Sequence, residues 1–101
     1  MGKLAKVAEI ADLAPGQGRV VEVEGKAIAL FNVDGAFYAI DNTCLHRGGP
    51  LGEGELDGAV VTCPWHGWCY DVTTGVNTAN PSVKVQPYPV KVEGSAVFVE
   101  L

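Results

Sequence analysis

Four side chains in the sequence have the types and spacing to hold metal: Cys44, His46, Cys63 and His66. They read Cys-x-His, a sixteen-residue gap, then Cys-x-x-His. The chain has only two histidines, and each stands within three residues of a cysteine. Thiolate sulfur and neutral imidazole together suit zinc, copper or iron–sulfur chemistry. A zinc site of two Cys and two His normally takes like ligands in pairs. Here each segment supplies one of each. That mixed order suits two adjacent metals, one bound by both sulfurs and the other by both nitrogens, with each segment straddling the pair. A Cys63–His66 nucleophile dyad leaves Cys44 and His46 without a role. A zinc site, a dyad and a two-iron site are all open on residue type, and the specificity of the two motifs favours two irons.

The elements that must position these ligands read as strands. Turn signals at Glu24-Gly25, Asp34-Gly35, Asp57-Gly58 and Glu93-Gly94 separate runs of β-branched and aromatic residues. The runs predict strands over 19–23, 27–33, 36–40, 59–62, 68–72, 83–92 and 96–101, with a weaker one over 4–10. Residues 8–13 offer at most one helical turn before Pro15-Gly16. Short, evenly spaced strands predict an all-β fold, an antiparallel β sandwich or barrel. In the run 83–92, Val83 and Val85 share one parity and Val90 and Val92 the other, with Pro87 and Pro89 between them. A bulge or an edge position reconciles that pattern. The ligand-bearing segments leave this sheet pattern. Residues 41–54 and 63–67 are rich in Gly, Pro, Cys and His and read as two loops.

Composition narrows the function classes. The 101 residues are 48% hydrophobic and 19% charged, which fits one small folded domain and not a disordered chain. So thin a core gains from a staple. Three cysteines cannot all pair, so the expected staple is metal and not disulfide. A net charge of −5 argues against nucleic acid and against anionic membrane surfaces. No apolar stretch approaches the roughly twenty residues of a membrane span. The start of the chain lacks a secretory h-region, and the expected location is cytoplasmic.

The two ligand segments resemble a known family. Cys44-Leu45-His46-Arg47-Gly48-Gly49-Pro50-Leu51 is similar to the first cluster-binding box of Rieske-type proteins. Residues 63–75, Cys-Pro-Trp-His-Gly-Trp-Cys-Tyr-Asp-Val-Thr-Thr-Gly, are similar to the second. The lead-in over 26–40 looks like that of a Rieske-type ferredoxin. The resemblance implies one [2Fe–2S] cluster, with Cys44 and Cys63 on one iron and His46 and His66 on the other. It implies a single domain over 1–101: a base of residues 1–40 and 82–101, and an inserted cluster-binding subdomain at about 41–81. It implies a soluble one-electron carrier, not itself an enzyme, between an NAD(P)H-dependent flavin reductase and a terminal aromatic-ring-hydroxylating Rieske oxygenase. The small subunit of an assimilatory nitrite reductase is the alternative, and a zinc-bound structural module a weaker one. An oxygenase acting alone needs a further mononuclear iron with two His and a carboxylate, and both histidines are already used.

Departures from the family pattern carry information. Respiratory Rieske proteins have an extra cysteine in each box, bridged to one another; the matching positions here are Gly49 and Trp65. The serine two residues after the second histidine is replaced by Trp68, while the tyrosine four residues after it is kept as Tyr70. The loss of the serine predicts a potential in the lower part of the Rieske range of about −150 to +300 mV, because hydrogen bonds to the cluster sulfurs favour the reduced state. Tyr70 opposes that trend. Cys69 reads as a small buried hydrophobe. Of Trp65 and Trp68, Trp65 is the better docking candidate because it stands between two ligands. Glu53, Glu55 and Asp57 read as a solvated acidic stretch. Gly16-Gln17-Gly18 and Gly52-Glu53-Gly54 are turns and not nucleotide fingerprints. Residues 79–82 resemble the proline-containing loop that packs over Rieske clusters.

Overall fold

A computed structural model of the chain describes residues 3–44, 48–65 and 67–101. The strands are β1 (Leu4–Glu9), β2 (Gly18–Val23), β3 (Lys26–Val33), β4 (Ala36–Asp41), β5 (Glu55–Asp57), β6 (Val60–Thr62), β7 (Cys69–Asp71), β8 (Pro87–Tyr88), β9 (Val90–Glu93) and β10 (Ala96–Glu100). They form three antiparallel sheets, ordered β1-β10-β9, β2-β3-β4-β8 and β5-β6-β7. The helical content of the described residues is two 3-10 turns, Ile10–Asp12 and Leu51–Glu53. No described helix is long and apolar enough to cross a membrane.

All four predicted turns form hairpins, in two ways. Val23 pairs with Lys26 and Val33 with Ala36, so Glu24-Gly25 and Asp34-Gly35 are the central residues of two-residue turns. Both members of each pair have positive φ, as hairpin turns that follow the strand twist demand. In the other two, Asp57 and Glu93 are still paired, with Val60 and Ala96, and the glycine is the first turn residue.

Alternation along β3 organises the interior. Ile28 and Leu30 point into one core with Val21, Val23, Phe37, Ala39, Val97 and Val99. Ala29 and Phe31 point into a second core with Ile40, Leu51, Val61, Tyr70, Val72 and Val85, and both Cys44 and Cys63 belong to it. Side chains that alternate across a strand, buried on both faces, make β3 the wall between the two cores.

Two strand expectations need correction. The run 83–92 is not one strand. Val83 and Val85 pack with the second core, whereas Tyr88 and Val90 pack with the first. The chain changes sheets at Pro89. β8 lies at the edge of the four-stranded sheet and β9 at the edge of the other, so the expected edge position holds for both pieces. Pro87 and Pro89 are tolerated there because an edge strand can spare a donor. The second correction is β5. Glu55 and Asp57 are exposed while Leu56 packs inward against the second core, so the acidic stretch includes a strand with its charges on the solvent side.

Candidate metal centre

The first ligand segment leaves β4 and returns to it as a closed loop. Thr43 bridges Pro50 at its neck, the Cys44 amide donates to the Gly49 carbonyl at 3.0 Å, and the Gly48 amide donates to the Cys44 carbonyl at 2.7 Å. The second segment is the loop of the β6–β7 hairpin. Thr62 pairs with Cys69, the Cys63 amide donates to the Trp68 carbonyl at 2.7 Å, and the Gly67 amide donates back to the Cys63 carbonyl at 3.3 Å. His46 and His66 lie outside the described residues.

These loops bring the two predicted sulfur ligands together. Cys44 is 1% exposed and Cys63 2%, and the Cys44 side chain is a hydrogen-bond neighbour of the Cys63 thiol. Burial pushes the Cys63 thiol above the ordinary thiol range. The Trp65 amide works against burial by donating to Cys63 Sγ at 3.4 Å, and the Cys44 thiol adds to the rise. The Tyr70 hydroxyl lies 3.6 Å from Cys44 Sγ, across 26 residues of sequence. Tyr70 is fully buried, and a hydroxyl in such a place needs a partner. An N–H aimed at one sulfur and an O–H beside the other are what a pair of thiolates needs when metal replaces their protons. The donor set therefore fits an iron–sulfur group.

The loops also touch directly. A β-carbon at Gly49 would fall 2.6 Å from Cys63 Sγ and 3.0 Å from Trp65 Cγ. Only glycine lets the first loop lie this close to the second. The contact joins the two positions at which the resemblance to Rieske-type proteins sets bridged cysteines against Gly49 and Trp65, and here close packing holds the loops together. Trp65 keeps 49% of its surface exposed, as a docking candidate requires. Trp68 is half-buried and packs against the second core, a different role that its sequence position did not reveal. Cys69 is half-buried, not buried as expected. Its Sγ lies 3.4 Å from Thr62 Oγ1 and donates to the Gly67 carbonyl at 3.5 Å. Residues 79–82 follow Asn77, whose buried side chain accepts from the Ala79 and Asn80 amides at 2.8 and 3.0 Å. The Thr78 amide donates to the Cys69 carbonyl, which ties this third loop to the hairpin.

The Tyr70 hydroxyl gives a measurable expectation. A hydrogen bond to a ligand sulfur strengthens as the cluster gains negative charge. Tyr70→Phe is expected to lower the midpoint potential by about 40 mV, from a net bond worth about 1 kcal/mol and 59 mV per decade for one electron. Protein-film voltammetry at pH 7 measures it, and an unchanged midpoint would remove the hydroxyl from the account.

Comparison with known proteins places this geometry. The Rieske [2Fe–2S] domain family matches residues 3–89. The ferredoxin component of the naphthalene 1,2-dioxygenase system of Pseudomonas putida is 36% identical, over 98% of this chain and 96% of its own. A chain in the complex of reduced oxygenase and oxidised ferredoxin of carbazole 1,9a-dioxygenase superposes with a TM-score of 0.87 at 36% identity, covering 95% of this chain and 91% of that one. A putative NADH-dependent nitrite reductase small subunit from Mycobacterium tuberculosis superposes at 0.92, over 100% and 96% of the two chains. At 24% identity that likeness concerns the fold alone.

Proposed function

Because the chain belongs to the Rieske [2Fe–2S] family, we propose that it is the ferredoxin component of a ring-hydroxylating dioxygenase system, with Cys44, His46, Cys63 and His66 as the ligands of its cluster. The observation that carries the ligand assignment is the convergence of two buried cysteines from two separate loops, each followed within three residues by one of the chain's two histidines. Its cofactor is one [2Fe–2S] cluster, which stores a single electron. The described residues would hold that group on its cysteine side. The second core encloses the cysteine side, Tyr70 and the Trp65 amide supply donors to sulfur, and Gly49 lets the loops close. Residues 41–81 act as the cluster-binding subdomain, and the remaining strands form the base.

The chain's role is electron transfer, and the chemistry on substrate belongs to its partners. Electrons enter from a flavin reductase that oxidises NAD(P)H and leave to a terminal Rieske oxygenase. Dependence on that nucleotide pool puts the protein in the cytoplasm. The half-exposed Trp65, which lies between Cys63 and His66 in the sequence, supports docking at the loop tips, where a large aromatic contributes most to binding.

Reconstitution tests this. Substrate turnover by NAD(P)H, reductase and oxygenase is expected to require the ferredoxin and to saturate with it. Trp65→Ala is expected to raise the half-saturating ferredoxin concentration by about tenfold or more, with little change in midpoint. Failure to support any such oxygenase, together with copurification of a sirohaem-bearing large subunit, would move the chain to the nitrite reductase class.

A further inference from the structure

We propose that Asn42 is a positioning residue for the cluster, acting through a clasp with Gly52 across the neck of the first ligand loop. Asn42 follows β4 and is 8% exposed. Its amide donates to the Ala27 carbonyl at 3.2 Å, which ties it to β3. Its carbonyl accepts from the Leu51 amide at 2.7 Å, and its side-chain Oδ1 accepts from the Gly52 amide at 2.8 Å. One residue on the outgoing arm thus holds two consecutive amides of the returning arm.

The far side of the clasp is wedged. A β-carbon on Gly52 would fall 2.8 Å from the Arg19 carbonyl carbon and 2.9 Å from its oxygen. The returning arm therefore lies directly on the β2 backbone, pressed there by Asn42 and admitted there by the lack of a side chain. Thr43 and Pro50 bridge just inside the clasp, and Cys44 and Gly49 come next. Gly49 in turn abuts Cys63 Sγ. A shift at the neck moves Cys44 and, through Gly49, the space left for Cys63. Two other asparagines are buried, but Asn32 joins Leu13 to the Gly35 turn and Asn77 shapes the third loop. Among these three, Asn42 alone spans the neck of a ligand loop.

The inference rests on the ligand assignment proposed above. Iron and sulfide content of the unaltered protein tests that assignment, whereas the clasp is read from variants relative to it. The variants are Asn42→Leu, which keeps bulk and loses the acceptor, Asn42→Asp, which keeps the acceptor, and Gly52→Ala, which pushes the arm off β2 while leaving the Gly52 amide and the Asn42 side chain in place. Three readouts apply to holoprotein: decay of visible absorbance under an iron chelator, the EPR g-values of the reduced state, and exchange of the Leu51 and Gly52 amides. Asn42→Leu is expected to shorten cluster lifetime about tenfold, the range for an unsatisfied buried group, and Gly52→Ala, which displaces the arm by steric overlap with β2, is expected to shorten it as well. Both should shift the g-values and speed exchange at the neck, while the Ile28, Leu30, Val97 and Val99 amides stay protected. Asn42→Asp should stay within about twofold of the parent. An unchanged lifetime and spectrum in Asn42→Leu overturns the proposal. So does an Asp variant that fails like the Leu variant, or loss of protection in the base alongside the neck, which would make the role one of general folding.

Discussion

Alanine at His46 or at His66 is expected to yield a colourless protein that holds no native cluster, whereas the parent holds iron and acid-labile sulfide in equal amounts. No histidine remains to substitute, since these two are the chain's whole supply. The one spare thiol, Cys69, is badly placed to help. It neighbours Tyr70 on β7, and successive side chains on a strand point to opposite faces. Tyr70 points into the core that contains Cys44 and Cys63, so Cys69 points away from it, toward Thr62 and the Gly67 carbonyl. Metal analysis, sulfide assay and visible absorbance after iron-replete expression check the result. Stoichiometric zinc in the parent, with no visible band, would defeat the two-iron reading and leave the structural zinc module.

Removal of the cluster is expected to loosen the two ligand loops and spare the sheets around them. Among the described residues, four backbone hydrogen bonds within the loops join Cys44 to Gly48 and Gly49 and Cys63 to Gly67 and Trp68. Against that stands the ordering of several glycines, which lose more freedom than other residues. The second core is different: Phe31, Ile40, Leu51, Val61, Tyr70 and Val72 are buried against one another, a packing that apolar burial favours by itself. Hydrogen exchange in apoprotein should therefore rise by about 100-fold over 44–50 and 63–68, the factor that a ligand at a hundred times its dissociation constant supplies. Amides of β3, β4 and β10 should change far less. Equal protection of the loops in both forms would show that the cluster does not staple them. Apoprotein should also have a pH signature. Burial raises the Cys63 thiol, so folded apoprotein keeps a proton that the unfolded chain releases first. That contribution is intact below the unfolded thiol pKa and is lost as pH rises toward the folded one, so apoprotein weakens in alkaline solution. Binding metal removes the thiol protons, and uptake should release them.

What the sequence revealed divides along physical lines. Turns were legible because an acidic residue followed by glycine between β-branched runs needs no tertiary context, and each such pair lies at a hairpin. The meeting of Cys44 and Cys63 was legible because few chains put sulfur and imidazole at this spacing, and the structure brings the two buried thiols together. Parity failed at residues 83–92, where the correct inference of edge strands still missed that the chain passes from one sheet to another at Pro89. β5 was invisible because three residues are too short for a period, and two of them are charged. The preference for Trp65 over Trp68 as the exposed aromatic was legible, whereas the packing of Trp68 on the second core and the approach of Tyr70 to Cys44 depend on a fold that brings β7 beside the end of β4. Asn42 drew no notice, since an asparagine after a strand is ordinarily a turn residue.

The shared wall at β3 bears on how such a domain is inherited. Ile28 and Leu30 serve one core while Ala29 and Phe31 serve the other, from adjacent positions on one backbone. A change of volume on either face displaces a strand that the opposite face also packs against, and close-packed interiors pass such displacements on. The loops proposed to carry the cluster therefore cannot be transplanted as a cassette on their own. The portable unit is those loops together with the second core that seats them, since moving the loops alone would part Cys44 and Cys63 from Ala29, Phe31 and the residues they pack with.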